Sequence, residues 1–285
     1  MDPVMTPEIR LIALDLDGTL YDPRTGISPV NRKALVAARD AGIEIVLATG
    51  RTRCSALNII EQLGLESPGI YVQGLVTHNG DGSIRNQQYL EAGLAREVVE
   101  LVDDDIAFIA YSGTKTWVQR FDRNIELLVM YGEPRPGQCD SLAELTGRVP
   151  INKFAAMDVA NPDKMNALRA RLEEALGDRA QVLQPGLTIM VEILPTGTSK
   201  GDALGTLIED MGIAPKHVLA CGDGENDIEM LELAGIGVAM GNADEMVRAA
   251  ADFVSAPCDQ DGVAHALAHF LPEIVPPGLL QDGDG

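Results

Sequence analysis

The chain has 285 residues, 46% of them hydrophobic but only 4% aromatic. At roughly 150 residues per domain this length is a prior for about two domains, and the apolar share excludes a disordered chain and requires a mainly aliphatic core. With 43 acidic against 22 basic residues the formal net charge is −21, a surface that repels nucleic acid, anionic lipid and, at long range, phosphorylated metabolites.

In chain order, the opening MDPVMTPEIR lacks a basic segment followed by an apolar run, so no signal peptide is expected. Ile9 to Leu14 is a short apolar run suited to a strand buried on both faces. Ser28 caps a predicted helix with Pro29 at its first position, running to about Asp40 and stopping at Ala41-Gly42. A second strand is expected over Ile43 to Ala48 and a second helix from about Thr52 to Leu63. Strand, helix, strand, helix implies right-handed crossovers and a parallel sheet.

From about Gly82 to Pro195 the grammar changes. Short runs such as IAFIAY, KTWVQR, INKFAAMDV, AQVLQ and LTIMVEIL surround two helical patterns, Arg123 to Tyr131 and Pro162 to Leu176. This suggests an α+β insert with an antiparallel sheet. The first grammar then returns. A helix capped by Ser199 runs through Met211, strands cover His217 to Cys221 and Ile236 to Ala239, and helices cover Asn226 to Ala234, a stretch starting near Asp244, and about Gly262 to Phe270. The tail after Leu271 is expected to wrap the surface or to be disordered. The fold expected is an α/β, Rossmann-like core of residues 1–81 and 196–285, split by an inserted α+β domain of residues 82–195. No stretch approaches the roughly 18 apolar residues of a membrane span. Cys54, Cys139, Cys221 and Cys258 form no CxxC pair, so a reduced, cytoplasmic protein is the expectation.

Four segments follow predicted core strands or open core helices, on the side of an open α/β sheet where ligands bind. The first, Asp15-Leu16-Asp17-Gly18-Thr19-Leu20, sets two carboxylates on one turn, suited to a nucleophile that is also a metal ligand and to a general acid/base. Alone it is also an ordinary surface Asx turn. It is not an EF-hand, because Leu20 and Gly26 stand where that loop needs its glycine and glutamate. The second, Ala48-Thr49-Gly50-Arg51, offers a hydroxyl and backbone N–H groups at a helix start, an anion cradle or a plain helix cap. The third puts Lys200 in the first turn of a helix, against the helix dipole, which implies an acidic or phosphorylated partner unless it is simply solvated. The fourth, Gly222-Asp223-Gly224-Glu225-Asn226-Asp227, concentrates three acids and an amide, a hard oxygen site suited to magnesium in which Asp223 and Asp227 are the expected contributors and Glu225 is free to face solvent.

Together these segments resemble the four motifs of the haloacid dehalogenase superfamily, and the TGR and GDGENDIEML forms with an insert between the second and third motifs resemble its Cof-like branch, subclass IIB. The stretch Val72 to Gly80 only partly resembles the Asn-Gly segment of that branch. The resemblance implies a magnesium-dependent phosphatase acting on a small phosphorylated metabolite, a sugar phosphate or similar; from the acidic charge and the lack of an apolar span, no nucleic-acid or membrane partner is expected. By the same resemblance Asp15 is the nucleophile and becomes an aspartyl-phosphate, and Asp17 is the acid/base. Thr49, Gly50, Arg51, Lys200 and Asn226 bind phosphate or substrate, and Asp15, Asp17 through its carbonyl, Asp223 and Asp227 hold Mg2+. A phosphotransferase or mutase of the same fold, and a non-catalytic phospholigand-binding protein, are the alternatives. The glycines of Gly235 to Gly241 read as a strand-to-loop turn, Cys221 as a small core residue, and His78 as either structural or a substrate contact.

Overall fold

The structure, a computed structural model, describes residues 8–130, 132–184 and 188–278. The first strand, β1 (Leu11–Leu14), is followed by α1 (Pro29–Asp40), β2 (Glu44–Leu47), α2 (Arg53–Leu63) and β3 (Gly69–Tyr71). The Ser28 hydroxyl accepts from Asn31 N and Thr52 caps α2 in the same way, while Gly64 closes α2 in a left-handed conformation. After β4 (Val76–His78) and β5 (Ile84–Gln87) come α3 (Ala92–Leu101), β6 (Ala107–Ser112), β7 (Lys115–Val118), α4 (Arg123–Met130), β8 (Gly137–Gln138) and α5 (Leu142–Leu145). Then follow β9 (Lys153–Met157), α6 (Pro162–Leu176), β10 (Ala180–Leu183) and β11 (Met190–Pro195). The chain ends with α7 (Lys200–Asp210), β12 (Val218–Gly222), α8 (Ile228–Leu233), β13 (Ile236–Ala239), α9 (Glu245–Ala250), β14 (Phe253–Val254) and α10 (Gly262–Phe270).

A five-stranded parallel sheet has the order β14-β13-β12-β1-β2. A bridge from Ala48 to Ile70 sets β3 beside β2. Period-2 alternation divides the strand residues between two cores. Ile12, Leu14, Ile45, Leu47, Leu219 and Cys221 pack with α1, α2 and α10. Leu11, Ala13, Val46, Val218 and Ala220 pack with α7, α8 and α9 on the other face. Both faces are covered, which is why these strands read as continuous apolar runs. The chain moves to one side of β1 through β2 and to the other through β12, so the topological switch point lies at β1 and β12.

The second large sheet has the order β10-β11-β9-β6-β7-β8 and is antiparallel except for the β7–β8 pair. Ala110, Phe154, Ala156, Val191 and Ile193 point to α3, α5 and α6. The alternate residues Ala107, Ile109, Tyr111, Ala155 and Leu194 join the core cluster of the parallel sheet. Four α-helices, not the two expected, lie among the described residues of 82–195: α3 is capped by the carboxylate of Glu91 rather than by a Ser, Thr, Asp or Asn, and α5 is a single turn. The β4–β5 hairpin spans the junction expected at residue 82. Of the tail, Val275 is buried, and residues 279–285 lie outside the described ones.

Candidate active site

Register builds the site. β1 and β12 pair with Leu14 opposite Cys221, and Asp15 N donates to Cys221 O at 3.0 Å, so the first and fourth motifs leave the sheet side by side. Asp15 is then 5% exposed and Asp227 fully buried. Gly18 has φ +87°, and a Cβ there would lie 2.2 Å from Asp223 Oδ2, so the turn after Asp17 closes against the fourth motif only with glycine. Thr19 Oγ1 donates to Asp223 Oδ1 at 2.8 Å.

Lys200, 2% exposed, donates to Asp15 Oδ1 at 2.6 Å and Asp227 Oδ1 at 2.8 Å. Its position at the helix start is thus explained by two acidic partners. The other oxygen of Asp227 accepts from Asp223 N and Gly224 N, both at 3.0 Å, which fixes the loop. Burial alone would lower the Lys200 pKa, but Asp15 and Asp227 together raise it, so the ammonium stays charged. Burial raises the Asp15 carboxyl well above its ordinary value despite Lys200, and the like charges of Asp227 and Asp223 add to this. Burial and the charge of Asp227 push Asp223 up to about 7. Three carboxylates facing one ammonium leave excess negative charge, and one oxygen from each of Asp15, Asp223 and Asp227 lies within 4.8 Å of the others. A hard divalent cation fits this all-oxygen donor set and would offset the charge.

Thr49, 1% exposed, donates its N–H to Ile70 O at 2.9 Å, and its hydroxyl accepts from Arg51 N at 3.2 Å. The Arg51 guanidinium forks onto Asp17, with Nε 2.7 Å from Oδ2, and lies 4.6 Å from the Tyr21 ring centroid. A planar guanidinium matches a carboxylate as well as a phosphate. Gly50 donates no side chain but gives its carbonyl to Lys153 Nζ at 3.2 Å. Asn226 is turned toward Gln73, to which its Nδ2 donates at 2.8 Å. Glu225 is exposed. His78 bonds Gly82 O at 2.9 Å and sits edge-on to Tyr71, a structural placement.

The sequence reading missed Asn242, whose Nδ2 donates to Gly18 O at 2.9 Å and Asp223 Oδ2 at 3.1 Å while its Oδ1 accepts from Cys258 N at 2.8 Å. It stands directly after the glycine run ending at Gly241, at the end of a parallel strand; that position was its available signal. It also missed Lys153, Glu192, Gln73 and Glu133, which line the seam between the two large sheets. Lys153 and Glu192 are ion-paired and almost fully buried. Glu133 accepts from Thr52 Oγ1 at 3.1 Å and Ser55 Oγ at 3.0 Å at the start of α2.

A buried aspartate, a buried lysine and an acidic loop thus stand together at the switch point of a parallel α/β sheet, the place where open α/β sheets bind ligands. A family profile described as haloacid dehalogenase-like hydrolase matches residues 12–267. The chain belongs to this family and is a phosphoric monoester hydrolase within it. It is 30% identical to the 5-amino-6-(5-phospho-D-ribitylamino)uracil phosphatase YcsE of Bacillus subtilis, over 93% of this chain and 96% of that one. It is 36% identical to a protein of Arabidopsis thaliana named Endoribonuclease YBEY, chloroplastic, over 93% of this chain, but spans only 47% of that protein's length. A solved haloacid dehalogenase-like hydrolase from Bacteroides thetaiotaomicron superposes with a TM-score of 0.82 at 27% identity, covering 92% of this chain and all of that one.

Proposed function

We propose that the protein is a magnesium-dependent phosphatase that hydrolyses a small phosphorylated metabolite through an aspartyl-phosphate on Asp15. The observation that carries this is the pairing of Asp15 with Lys200 inside a cluster of three carboxylates. Asp15 attacks phosphorus in line; the bond to the leaving oxygen breaks, and Asp17 gives that oxygen its proton. Asp17 then takes a proton from water, which attacks the same phosphorus and frees phosphate and Asp15. Thr49 and Lys200 bind the phosphoryl oxygens, and Arg51 can exchange its carboxylate partner for one of them. Asp15, Asp223, Asp227 and the carbonyl of Asp17 would hold the magnesium, which when bound supplies Lewis-acid neutralisation of phosphoryl charge.

Residues 82–195 are read as a cap over a core of residues 1–81 and 196–285. The contacts of Lys153, Glu192 and Glu133 with the core support that reading. Four free cysteines fit a reducing cytoplasm. A net charge of −21 favours a small substrate over a nucleic acid.

The test follows the covalent phosphate. Asp15→Asn and Asp17→Asn should each lower turnover by at least about 10²-fold. With a donor whose leaving group needs no proton, Asp17→Asn should accumulate a hydroxylamine-labile phosphate and Asp15→Asn none. Covalent phosphate on another residue, or normal turnover by Asp17→Asn, would overturn the assignment. Activity should also vanish with chelator and return with magnesium, calcium supporting much less; full activity of metal-free protein would exclude the metal.

A further inference from the structure

The chain leaves β3 through a bend of three residues with positive φ: Val72 at 55°, Gln73 at 63° and Gly74 at 92°. A β-branched residue in that region is strained, and such strain persists only where the surroundings over-determine it. They do so here. Val72 N donates to Arg51 O at 2.9 Å and Gln73 N to Thr49 O at 3.1 Å. A Cβ on Gly74 would lie 2.2 Å from Ser199 O. The bend is therefore wedged between the loop after β2 and the start of α7.

What the bend delivers is one side chain. Gln73 is 4% exposed, its Oε1 accepts from Asn226 Nδ2 at 2.8 Å, and its Nε2 donates to Glu192 Oε2 at 2.8 Å. Gly50 clears the space, since a Cβ there would lie 2.5 Å from Gln73 Nε2. Glu192 on β11 pairs with Lys153 on β9, whose ammonium also lies 4.7 Å from the Tyr111 ring centroid. Glu192 is in register with Ala155, so Lys153 is its diagonal neighbour on the same sheet face.

We propose that Lys153, Glu192, Gln73 and Asn226 form a relay by which seating of the cap sheet sets the loop Asp223 to Asp227, with Gln73 as its positioning residue. The inference rests on the phosphatase reading of that loop. A glutamine amide has a donor end and an acceptor end, and its orientation is fixed only when both have partners. Glu192 takes the donor end, which turns Oε1 toward Asn226, and Asn226 directly precedes Asp227 in the fourth motif. When the cap sheet lifts, the donor end loses its carboxylate and Asn226 loses a defined acceptor. A buried ion pair adds little stability over apolar residues of the same volume. The Lys153–Glu192 pair is thus better accounted for by orientation than by stability.

The test uses the full chain with magnesium present. Gln73→Met removes the amide at similar volume. Lys153→Met combined with Glu192→Leu removes the cap partner without leaving a lone buried charge, and carries the test if Gln73→Met fails to fold. Hydrogen exchange of the amides of residues 223–227 should quicken by about tenfold in each, the factor of one charge-assisted hydrogen bond. The turnover number on a small aryl phosphate should fall by about the same factor with KM nearly unchanged, and all three substitutions together should be no worse than either set. Exchange as in the unsubstituted chain, or effects that multiply, would overturn the relay. A chain inactive toward every phosphate ester would sink the phosphatase reading, while the exchange measurement would still decide the relay.

Discussion

Asp223 is held from two sides, by the Thr19 hydroxyl on one oxygen and by the Asn242 amide on the other. Outer partners of this kind orient a metal-ligating carboxylate, and their loss commonly costs about 10–100-fold in metal affinity. Asn242→Ala should therefore weaken magnesium binding by about that factor, read by titration calorimetry or by the magnesium dependence of turnover. The thermal midpoint should move little, because Asn242 is an exposed loop residue. An unchanged magnesium titration would show that Thr19 alone suffices. The charged residues that the structure brings together at the strand ends, Asp15, Lys200, Asp223 and Asp227, were legible in the sequence. Those that act through geometry were not. Gln73 lies in a stretch whose left-handed run nothing announces, since Val72 is among the residues least suited to positive φ. Lys153 and Glu192 left a trace, a single opposite charge in each of two apolar strand runs, but pairing them requires the register.

At the scale of elements, helices with a polar cap and a long apolar period were readable to within a residue or two: α1, α2, α6 and α10 lie where expected. The strands of the hairpin β4–β5 were not, because β5 is almost wholly exposed and shows no alternation, and β8 and β14 have two residues each. The seam between α2 and the segment after α4 was equally invisible, since Glu133 belongs to no motif. There Glu133 meets Thr52 and Ser55, with Lys153, Arg51 and Tyr111 the other charged or titratable groups around it. Burial raises its carboxyl above the ordinary 4.5, although the two hydroxyls and Lys153 oppose this. The folded state therefore holds that proton more tightly than the unfolded one. The contribution is complete below pH 4.5 and is lost as pH rises to the raised value. Glu133→Gln keeps an acceptor for the hydroxyls and removes the charge. Its thermal midpoint relative to the unsubstituted chain should climb across that window and level off above it. A difference independent of pH would show that Glu133 does not titrate there.

For the whole molecule the governing quantity is the net charge of −21. Its field opposes the approach of an anionic phosphate ester, whereas at the proposed site Lys200 and Arg51 already face carboxylate partners, so that a bound cation is needed to make it locally attractive. These two effects act over different distances. The Debye length is about 30 Å at 0.01 M salt and about 8 Å at 0.15 M, so moderate salt screens the distributed surface charge and leaves contacts of 2.6 Å inside the site largely intact. Only encounter should respond. With free magnesium held constant, kcat/KM for a phosphorylated metabolite should rise as potassium chloride goes from about 0.01 to 0.15 M, while kcat stays flat. Slowed encounter through surface repulsion predicts this sign, and attraction by a dominant positive crevice predicts the opposite one. A kcat/KM that falls steadily with salt would mean that Lys200, Arg51 and the bound cation outweigh the surface at long range, so that the acidic exterior has no part in substrate capture.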